Sequence, residues 1–174
     1  MYREFEGIRL RRASEEDIEY IYLTEHSEEN IKYVIPGTDD WHRKALQNSD
    51  MIHFIAEDED GKNIGLVILA GLEDPDDCLE LMRLIVNEKG KGYGRKILKE
   101  IKRFAFEECK AHRLWLDVKD YNERAISLYK REGFTIEGHH RECVKTGNVY
   151  ESLYVMGILI QEYRDRRSVD SLIK

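Results

Sequence analysis

A glycine-rich segment in the middle of the chain has residue types that suit an anionic ligand. It consists of Lys89, Gly90, Lys91, Gly92, Tyr93, Gly94 and Arg95. It follows an apolar stretch and precedes an amphipathic one, so it is predicted to join a strand to a helix. Glycines leave backbone N–H groups open to a ligand, and the helix dipole adds partial positive charge at that end. With two lysines and an arginine nearby, the segment is predicted to bind a diphosphate group.

Two common nucleotide-binding motifs do not fit this segment. The phosphate loop of nucleoside triphosphatases needs Gly-Lys-Ser/Thr, and a dinucleotide fingerprint needs G-x-G-x-x-G inside a longer strand–helix–strand unit. Residues 89–95 have neither pattern. The alternative for residues 89–95 alone is a solvated basic turn.

A second polar pattern lies on the next predicted helix, from Asn122 to Arg131. Asn122, Ala125 and Tyr129 are spaced by three and four residues, which places them on one face of that helix. The small alanine allows a ligand to approach closely between an amide and a phenol. The alternative is that Asn122 caps the helix and Tyr129 is a core aromatic.

The hydrophobic pattern predicts the elements that must position these residues. Strands are predicted at 7–12, 51–56, 64–70, 79–86, 114–118, 135–143 and 150–159, and helices after a capping-box-like Ser14–Asp17 and at 39–47, 94–110 and 122–131. A central strand–helix–strand unit implies parallel pairing there, and hairpins imply antiparallel pairing elsewhere. The fold is predicted to be α/β (α+β), a mixed, twisted, mostly antiparallel sheet of six to seven strands with helices on both faces. We expect one domain over residues 1–174, with a peripheral tail at 164–174.

Composition narrows the classes of partner. The net charge is −7, from 28 basic and 35 acidic residues, which disfavours nucleic acid and favours a cationic substrate. No apolar run approaches the roughly 20 residues that span a bilayer, and the first residues lack a secretory signal. Cys78, Cys109 and Cys143 are odd in number and not in CxxC spacing, so we expect reduced thiols, no metal and a cytoplasmic protein.

Together the two motifs resemble the acetyl-CoA site of the GNAT superfamily of N-acetyltransferases. The first resembles Arg/Gln-x-x-Gly-x-Gly/Ala, with Lys89 at the first position, and the second resembles Asn-x-x-Ala-x-x-x-Tyr followed by Gly-Phe. The resemblance is strongest over 79–134 and weaker over 7–70 and 135–163. The tract 150–159 resembles the last long strand of the ribosomal-protein-alanine and polyamine acetyltransferase branch.

The resemblance implies a role for each motif. It implies a splayed central parallel strand pair, acetyl-CoA as co-substrate and a plausible homodimer. The backbone of Leu84, Ile85 and Val86 would pair with the pantetheine arm, and residues 89–95 would hold the diphosphate. Asn122 and Ala125 would complete the cofactor site, and Tyr129 would protonate the departing thiolate.

The group that takes the proton from the amine is less well defined. Glu80 is the first candidate, on a predicted strand face with Met82, Leu84 and Val86, where burial should raise its pKa. Asp117 is the second. The alternative for Glu80 is an exposed edge residue paired with a basic neighbour.

The acceptor itself stays open on the sequence alone. A peptide N-terminus, a polyamine, an amino acid and an aminoglycoside all fit, and Tyr150, Glu151 and Tyr154 are candidates to line the acceptor end. The sequence predicts direct transfer to a primary amine in a ternary complex. The alternative is a non-catalytic CoA-binding regulatory module.

Overall fold

The computed structural model describes the backbone of residues 2–172 and the side chains of residues 5–168. Eight strands form one sheet in the order β1-β2-β3-β4-β5-β6-β8-β7. The strands are β1 (Tyr2–Phe5), β2 (Ile8–Arg12), β3 (Met51–Asp58), β4 (Asn63–Ala70), β5 (Cys78–Val86), β6 (Arg113–Lys119), β7 (Thr135–Thr146) and β8 (Val149–Leu159). The helices are α1 (Ile18–His26), α2 (Asp39–Leu46), α3 (Tyr93–Arg103), α4 (Glu123–Arg131) and α5 (Ile160–Leu172). The predicted mixed, mostly antiparallel fold is confirmed, and β1 adds one short strand to the seven that were expected.

Helices cover both faces of the sheet. We call the side packed by α3, α4 and α5 the α3 face, and the side packed by α1 and α2 the α1 face. The α3 face holds the larger apolar cluster, which includes Phe54, Ile97, Ile101 and Leu116. The α1 face holds a smaller cluster that includes Ile21, Ala45, Ile55, Leu66 and Ile85. Alternating side chains of the inner strands therefore enter two separate cores.

Local signals explain where several helices begin and end. The Ser14 backbone N–H donates to Asp17 Oδ2 at 2.8 Å, half of the predicted capping box, ahead of α1. Thr38 caps α2 by accepting the Trp41 N–H at 3.2 Å. The predicted helix at 94–110 is interrupted, because α3 passes into a π-helical turn at Phe104–Glu108, where the Cys109 N–H donates to Phe104 O at 3.0 Å.

The central strands β5 and β6 are parallel only at their beginnings. Their register runs from Cys78 opposite Arg113 to Glu80 opposite Trp115, and pairing ends there although both strands continue. The strands therefore separate beyond Glu80, as predicted, and open a cleft at the sheet centre. Backbone groups of β5 beyond this point are available to a ligand that lies in the cleft.

A β-bulge in β5 changes which side chains face which core. Ile68 on β4 is opposite Arg83 and the next residue, Leu69, is opposite Leu81, so Met82 is the extra residue. The expectation that Glu80 shares a face with Leu84 and Val86 is therefore wrong. Glu80 lies on the α1 face, where Met82 and Ile85 pack, whereas Leu84 and Val86 pack on the α3 face.

Helix α5 follows β8 and returns to the α3 face. Tyr163 on this helix is buried and stacks on Phe106, with ring centroids 4.8 Å apart. Within residues 2–172, none of the helices has the length and apolar character needed to cross a lipid bilayer.

Candidate active site

The predicted phosphate-binding segment forms the turn between β5 and α3. Gly90 has φ 86° and Gly92 has φ 78°, a left-handed conformation that glycine adopts without strain. Gly92 caps α3, and its carbonyl accepts the N–H groups of Arg95 at 3.1 Å and Lys96 at 3.2 Å. The N-terminal end of α3 therefore points its dipole at the mouth of the cleft, where an anion is favoured.

The cations of this turn are already bonded to neighbouring groups. Lys89 Nζ donates to Glu29 Oε2 at 3.0 Å and to Asn30 Oδ1 at 3.1 Å, which ties the turn to the segment between α1 and α2. Lys91 pairs with Glu88, and Tyr93 lies beneath the Lys91 ammonium at 6.0 Å. A bound diphosphate would therefore lie near cations that are held in place by bonds to other side chains of the protein.

Arg95 links the turn to the second motif. Its Nε donates to Glu132 Oε1 at 2.7 Å, and Glu132 ends α4. Lys102 on α3 also donates to the Glu132 carboxylate at 2.8 Å and to its carbonyl at 2.7 Å, in a buried position. Gly94 packs between Val86 and Leu128. The two helices that carry the motifs are therefore joined by one buried ion pair and direct packing.

Helix α4 follows β6 and carries the predicted residues of the second motif. Asn122 is the N-cap and its Oδ1 accepts the Ala125 N–H at 3.3 Å, so the capping alternative is true. Ala125 is partly buried beside the core, and Tyr129 is 7% exposed. Among the described residues, the Tyr129 hydroxyl has no hydrogen-bond partner, although its ring packs on Phe134 at 5.7 Å.

The environment of Tyr129 keeps the phenol protonated. Burial raises the pKa of Tyr129 above its ordinary value, and the charge of Asp117 raises it further. The phenol therefore stays protonated across the neutral pH range, which a general acid requires. It is also a weaker acid than a free phenol, so proton transfer to a thiolate depends on close placement.

Two carboxylates lie on the α1 face near the point where β5 and β6 separate. Glu80 is half-buried opposite Trp115, and Asp117 follows two residues later on the same face of β6. Burial raises the pKa of Glu80, the charge of Asp117 raises it further and Arg83 lowers it. Asp117 is reached by solvent, yet surrounding protein atoms raise its pKa against the opposing charges of Arg83 and His140. Both carboxylates are better bases than ordinary surface acids.

The expected acceptor-lining residues on β8 have different surroundings. Glu151 accepts from Lys119 Nζ at 2.5 Å and from the Tyr121 hydroxyl at 2.6 Å. These bonds hold the pKa of Glu151 at about 2, so its charge is already matched. Tyr154 packs on His139 with centroids 4.7 Å apart, and Tyr150 is 58% exposed. Lys119 and Tyr121 were missed by sequence reasoning.

Comparison with known proteins identifies the family. The family model described as "Acetyltransferase (GNAT) family" matches residues 10–134. This range is most of the chain and contains both motifs. The chain belongs to the GNAT acetyltransferase family. The prediction of an acetyl-CoA-dependent N-acetyltransferase that acts on a primary amine is confirmed at the level of the family.

Similar proteins narrow the branch of the GNAT family. The chain is 29% identical over 126 residues to a spermidine N(1)-acetyltransferase of Vibrio cholerae serotype O1, covering 72% of this chain and 73% of that one. It is 26% identical over 165 residues to the spermidine N(1)-acetyltransferase of Escherichia coli K12, covering 90% and 88%. A structure of the Vibrio cholerae enzyme in complex with CoA and spermine has the same fold, with a TM-score of 0.82 and 24% identity over 91% of this chain and 99% of that one. The predicted polyamine branch is consistent with these relatives.

This GNAT protein also has a buried polar cluster that sequence reasoning missed. It lies on the α1 face and comprises Glu25, His42, His53 and Arg83. One signal was available, because Glu25 follows Ile18 and Ile21 at helical spacing and so falls on the buried side of α1. The histidines gave no comparable signal.

Proposed function

We propose that this enzyme acetylates a primary amino group of a polyamine. The observation that carries the proposal is the pair of carboxylates, Glu80 and Asp117, beside the cleft between β5 and β6. A polyamine is a chain of cations, and two adjacent acids at the reaction end suit one of its ammonium groups. The printed names of the relatives, which are spermidine acetyltransferases, support the same class of acceptor.

The proposed reaction is direct attack in a ternary complex. The bound ammonium first loses a proton to Glu80, since a primary amine has a pKa of roughly 10.4 and attacks only when neutral. The amine nitrogen then bonds to the thioester carbonyl carbon, the carbon–sulfur bond breaks, and Tyr129 protonates the sulfur. The second amine proton leaves through Glu80 or water and Tyr129 is reprotonated, which gives the N-acetyl amine, CoA and one released proton.

The remaining site assignments belong to the same proposal. We propose that the cofactor lies along β5 and the α3 turn, with its pantetheine arm beside α4. The residues concerned are Leu84, Ile85, Val86, Lys89, Gly90, Lys91, Gly92, Tyr93, Gly94, Arg95, Asn122 and Ala125. Exposed strand backbone beyond Glu80, the left-handed glycines and the α3 dipole support this placement.

The first test is thiol release from acetyl-CoA with a panel of polyamines, amino acids, aminoglycosides and short peptides. We expect turnover with polyamines, strongly reduced in Glu80→Gln and Asp117→Asn and unchanged in Glu19→Gln, a control acid on the exposed side of α1. Turnover with peptides alone would replace the polyamine with a protein N-terminus. Thermal stabilisation by CoA without any turnover would favour the non-catalytic module, and no stabilisation would overturn the cofactor site.

We further propose a cytoplasmic, metal-free, single-domain enzyme that forms a homo-oligomer. The oligomer is supported by β7, which lies at the sheet edge, and by the exposed Val149 and Tyr150 at its hairpin. Light scattering gives the assembly size, and a homodimer is the smallest expected species. Turnover that survives a chelator supports the metal-free site.

A further inference from the structure

The buried cluster on the α1 face is a chain of polar contacts that runs from His53 on β3 to Arg83 on β5. His53 Nε2 lies 3.3 Å from His42 Nδ1, and His42 Nε2 lies 3.1 Å from Glu25 Oε2. Glu25 Oε1 then accepts from Arg83 Nε at 2.8 Å. Glu25 and His42 are fully buried, so this chain is an internal feature of the fold.

Arg83 is the member of the cluster that lies on β5, and it is held from two directions. Besides the bond to Glu25, its Nη2 donates to the Ile35 carbonyl at 2.7 Å, in the segment between α1 and α2. Its side chain is 12% exposed. The bulge at Met82 turns Arg83 onto the same sheet face as Glu80, and without that extra residue strand alternation would turn it away.

Glu25 is a stable anchor because its charge is fully compensated. A buried carboxylate is costly unless it is paired and hydrogen-bonded. Glu25 accepts from Arg83, from His42 and from the Gly37 N–H at 2.8 Å. Although burial alone would raise the pKa of Glu25, these donors lower it overall, so the group stays ionised. Arg83 is thereby fixed as a cation against a fixed anion.

We propose that Arg83 is a positioning residue that sets the charge of the Glu80–Asp117 pair, with Glu25 as its anchor. The proposal rests on the polyamine acetyltransferase function described above. Two adjacent carboxylates in a half-buried cleft would share a proton, because each disfavours the charge of the other. A fixed guanidinium on their face opposes that tendency and keeps Glu80 able to accept a proton from the amine.

The charged groups around the pair are few. Arg83 comes from β5, its partner Glu25 comes from α1, and His140 comes from β7. His42 and His53 lie further back. The charges of Arg83 and His140 lower the pKa of Asp117, whereas of these two only Arg83 lowers the pKa of Glu80. The effect of removing Arg83 should therefore fall most clearly on Glu80.

The kinetic test compares Arg83→Gln with the wild-type enzyme over the pH range. We expect the acid limb of kcat/KM for the polyamine to move up by about one pH unit, as for loss of a nearby opposite charge. Well above that limb we expect kcat to recover and the amine KM not to rise, since a cation has been removed beside a cationic substrate. The KM for acetyl-CoA should not change. Arg83→Lys should restore part of the shift.

A second variant controls for the possibility that Arg83→Gln misfolds because it leaves the buried Glu25 charge unpaired. Arg83→Gln combined with Glu25→Gln removes one positive and one negative charge together, and should still shift the acid limb upward, but by less than Arg83→Gln alone, because the lost Glu25 charge offsets part of the lost Arg83 charge. Glu25→Gln alone should show no upward shift, because it removes an anion and Arg83 keeps its charge and its bond to Ile35. A loss of activity that is equal at every pH, with a lower melting temperature, would mean that Arg83 is only structural and would overturn the proposal.

A second readout does not depend on turnover. Carboxyl ¹³C NMR titration, assigned with Glu80→Gln, reports the pKa of Glu80 in the wild type and in the double variant. A higher pKa in the double variant supports the proposal, and equal values overturn it. If the wild type acetylated no amine at all, the proposed function would fail while this titration would still decide the role of Arg83.

Discussion

The two faces of the sheet bury different chemistry. The α3 face is a large apolar cluster in which Lys102 and Glu132 form a buried pair between the two motif helices. The α1 face has a smaller apolar cluster, and it encloses Glu25, His42 and His53. Apolar packing tolerates many sequences, whereas a buried polar network must be satisfied atom by atom. The two motif helices thus rest mainly on packing, whereas the α1 face encloses specific charges.

The largest expected effect concerns Tyr129, the proposed general acid on the α3 face. Tyr129→Phe should lower kcat by a factor of about 10² to 10⁴, the range for loss of a placed general acid, and should remove any alkaline limb that the phenol causes. Steady-state kinetics against pH measure both effects. Tyr163→Phe is the matched control, a buried tyrosine on the same face whose hydroxyl bonds Glu107 at 2.7 Å. Full turnover in Tyr129→Phe would show that the acid is another group.

The next largest effect concerns how the motif helices are joined. Glu132→Ala leaves Lys102 buried without its carboxylate, and removing one partner of a buried pair costs roughly 3–5 kcal/mol. Denaturant unfolding measures the loss. Lys44→Ala breaks a solvent-exposed pair with Asp40 and should leave the free energy of unfolding almost unchanged, because water and salt screen exposed charges. Similar losses in both variants would contradict the importance of the α3–α4 link.

The third prediction concerns His53 on the α1 face and the dependence of stability on pH. Burial lowers the pKa of His53 to about 4, and its Nδ1 is buried without a partner among the described residues. The unfolded chain takes up a proton on this histidine below roughly pH 6.5, and the folded protein does so only near 4. Stability should therefore fall by up to about 1.4 kcal/mol per pH unit as pH decreases through that window.

His53→Gln separates this contribution from those of other groups. We expect a shallower fall of the free energy of unfolding between pH 6.5 and 4 than in the wild type, because the titrating ring is gone. Exposed His112→Gln is the control and should leave the slope as it is. An unchanged slope in His53→Gln would mean that the buried histidine does not control the acid stability of this face.

The smallest expected effect distinguishes two roles of Asn122. Asn122→Ala should lose about 1 kcal/mol of stability, the usual cost of a missing cap. Asn122→Asp keeps the cap but has no amide donor, so we expect wild-type stability with a several-fold higher KM for acetyl-CoA. Thermal unfolding and steady-state kinetics measure the two quantities. A wild-type KM in Asn122→Asp would leave capping as the role of this residue.

The same contrast explains what could be read from the sequence. The strands, the motif helices and the glycine-rich turn between them were predicted because they depend on alternation, helical spacing and turn chemistry, which are local. The sequence did not predict correctly which side chains of β5 share a face. Alternation assumes a regular strand, and Met82 is an extra residue. The Glu25–His42–His53 contacts were missed because they join three elements far apart in sequence. Local rules do not show which buried polar groups will meet.

The turn between β5 and α3 has one more consequence. Its cations already hold carboxylates of the same chain, among them Glu29 and Glu132. A diphosphate that binds there would displace these carboxylates from the cations. Few dissolved counterions would then be released. Salt weakens attraction between exposed charges, but it also weakens the internal pairs that compete with the ligand. Affinity for CoA should therefore depend only weakly on ionic strength.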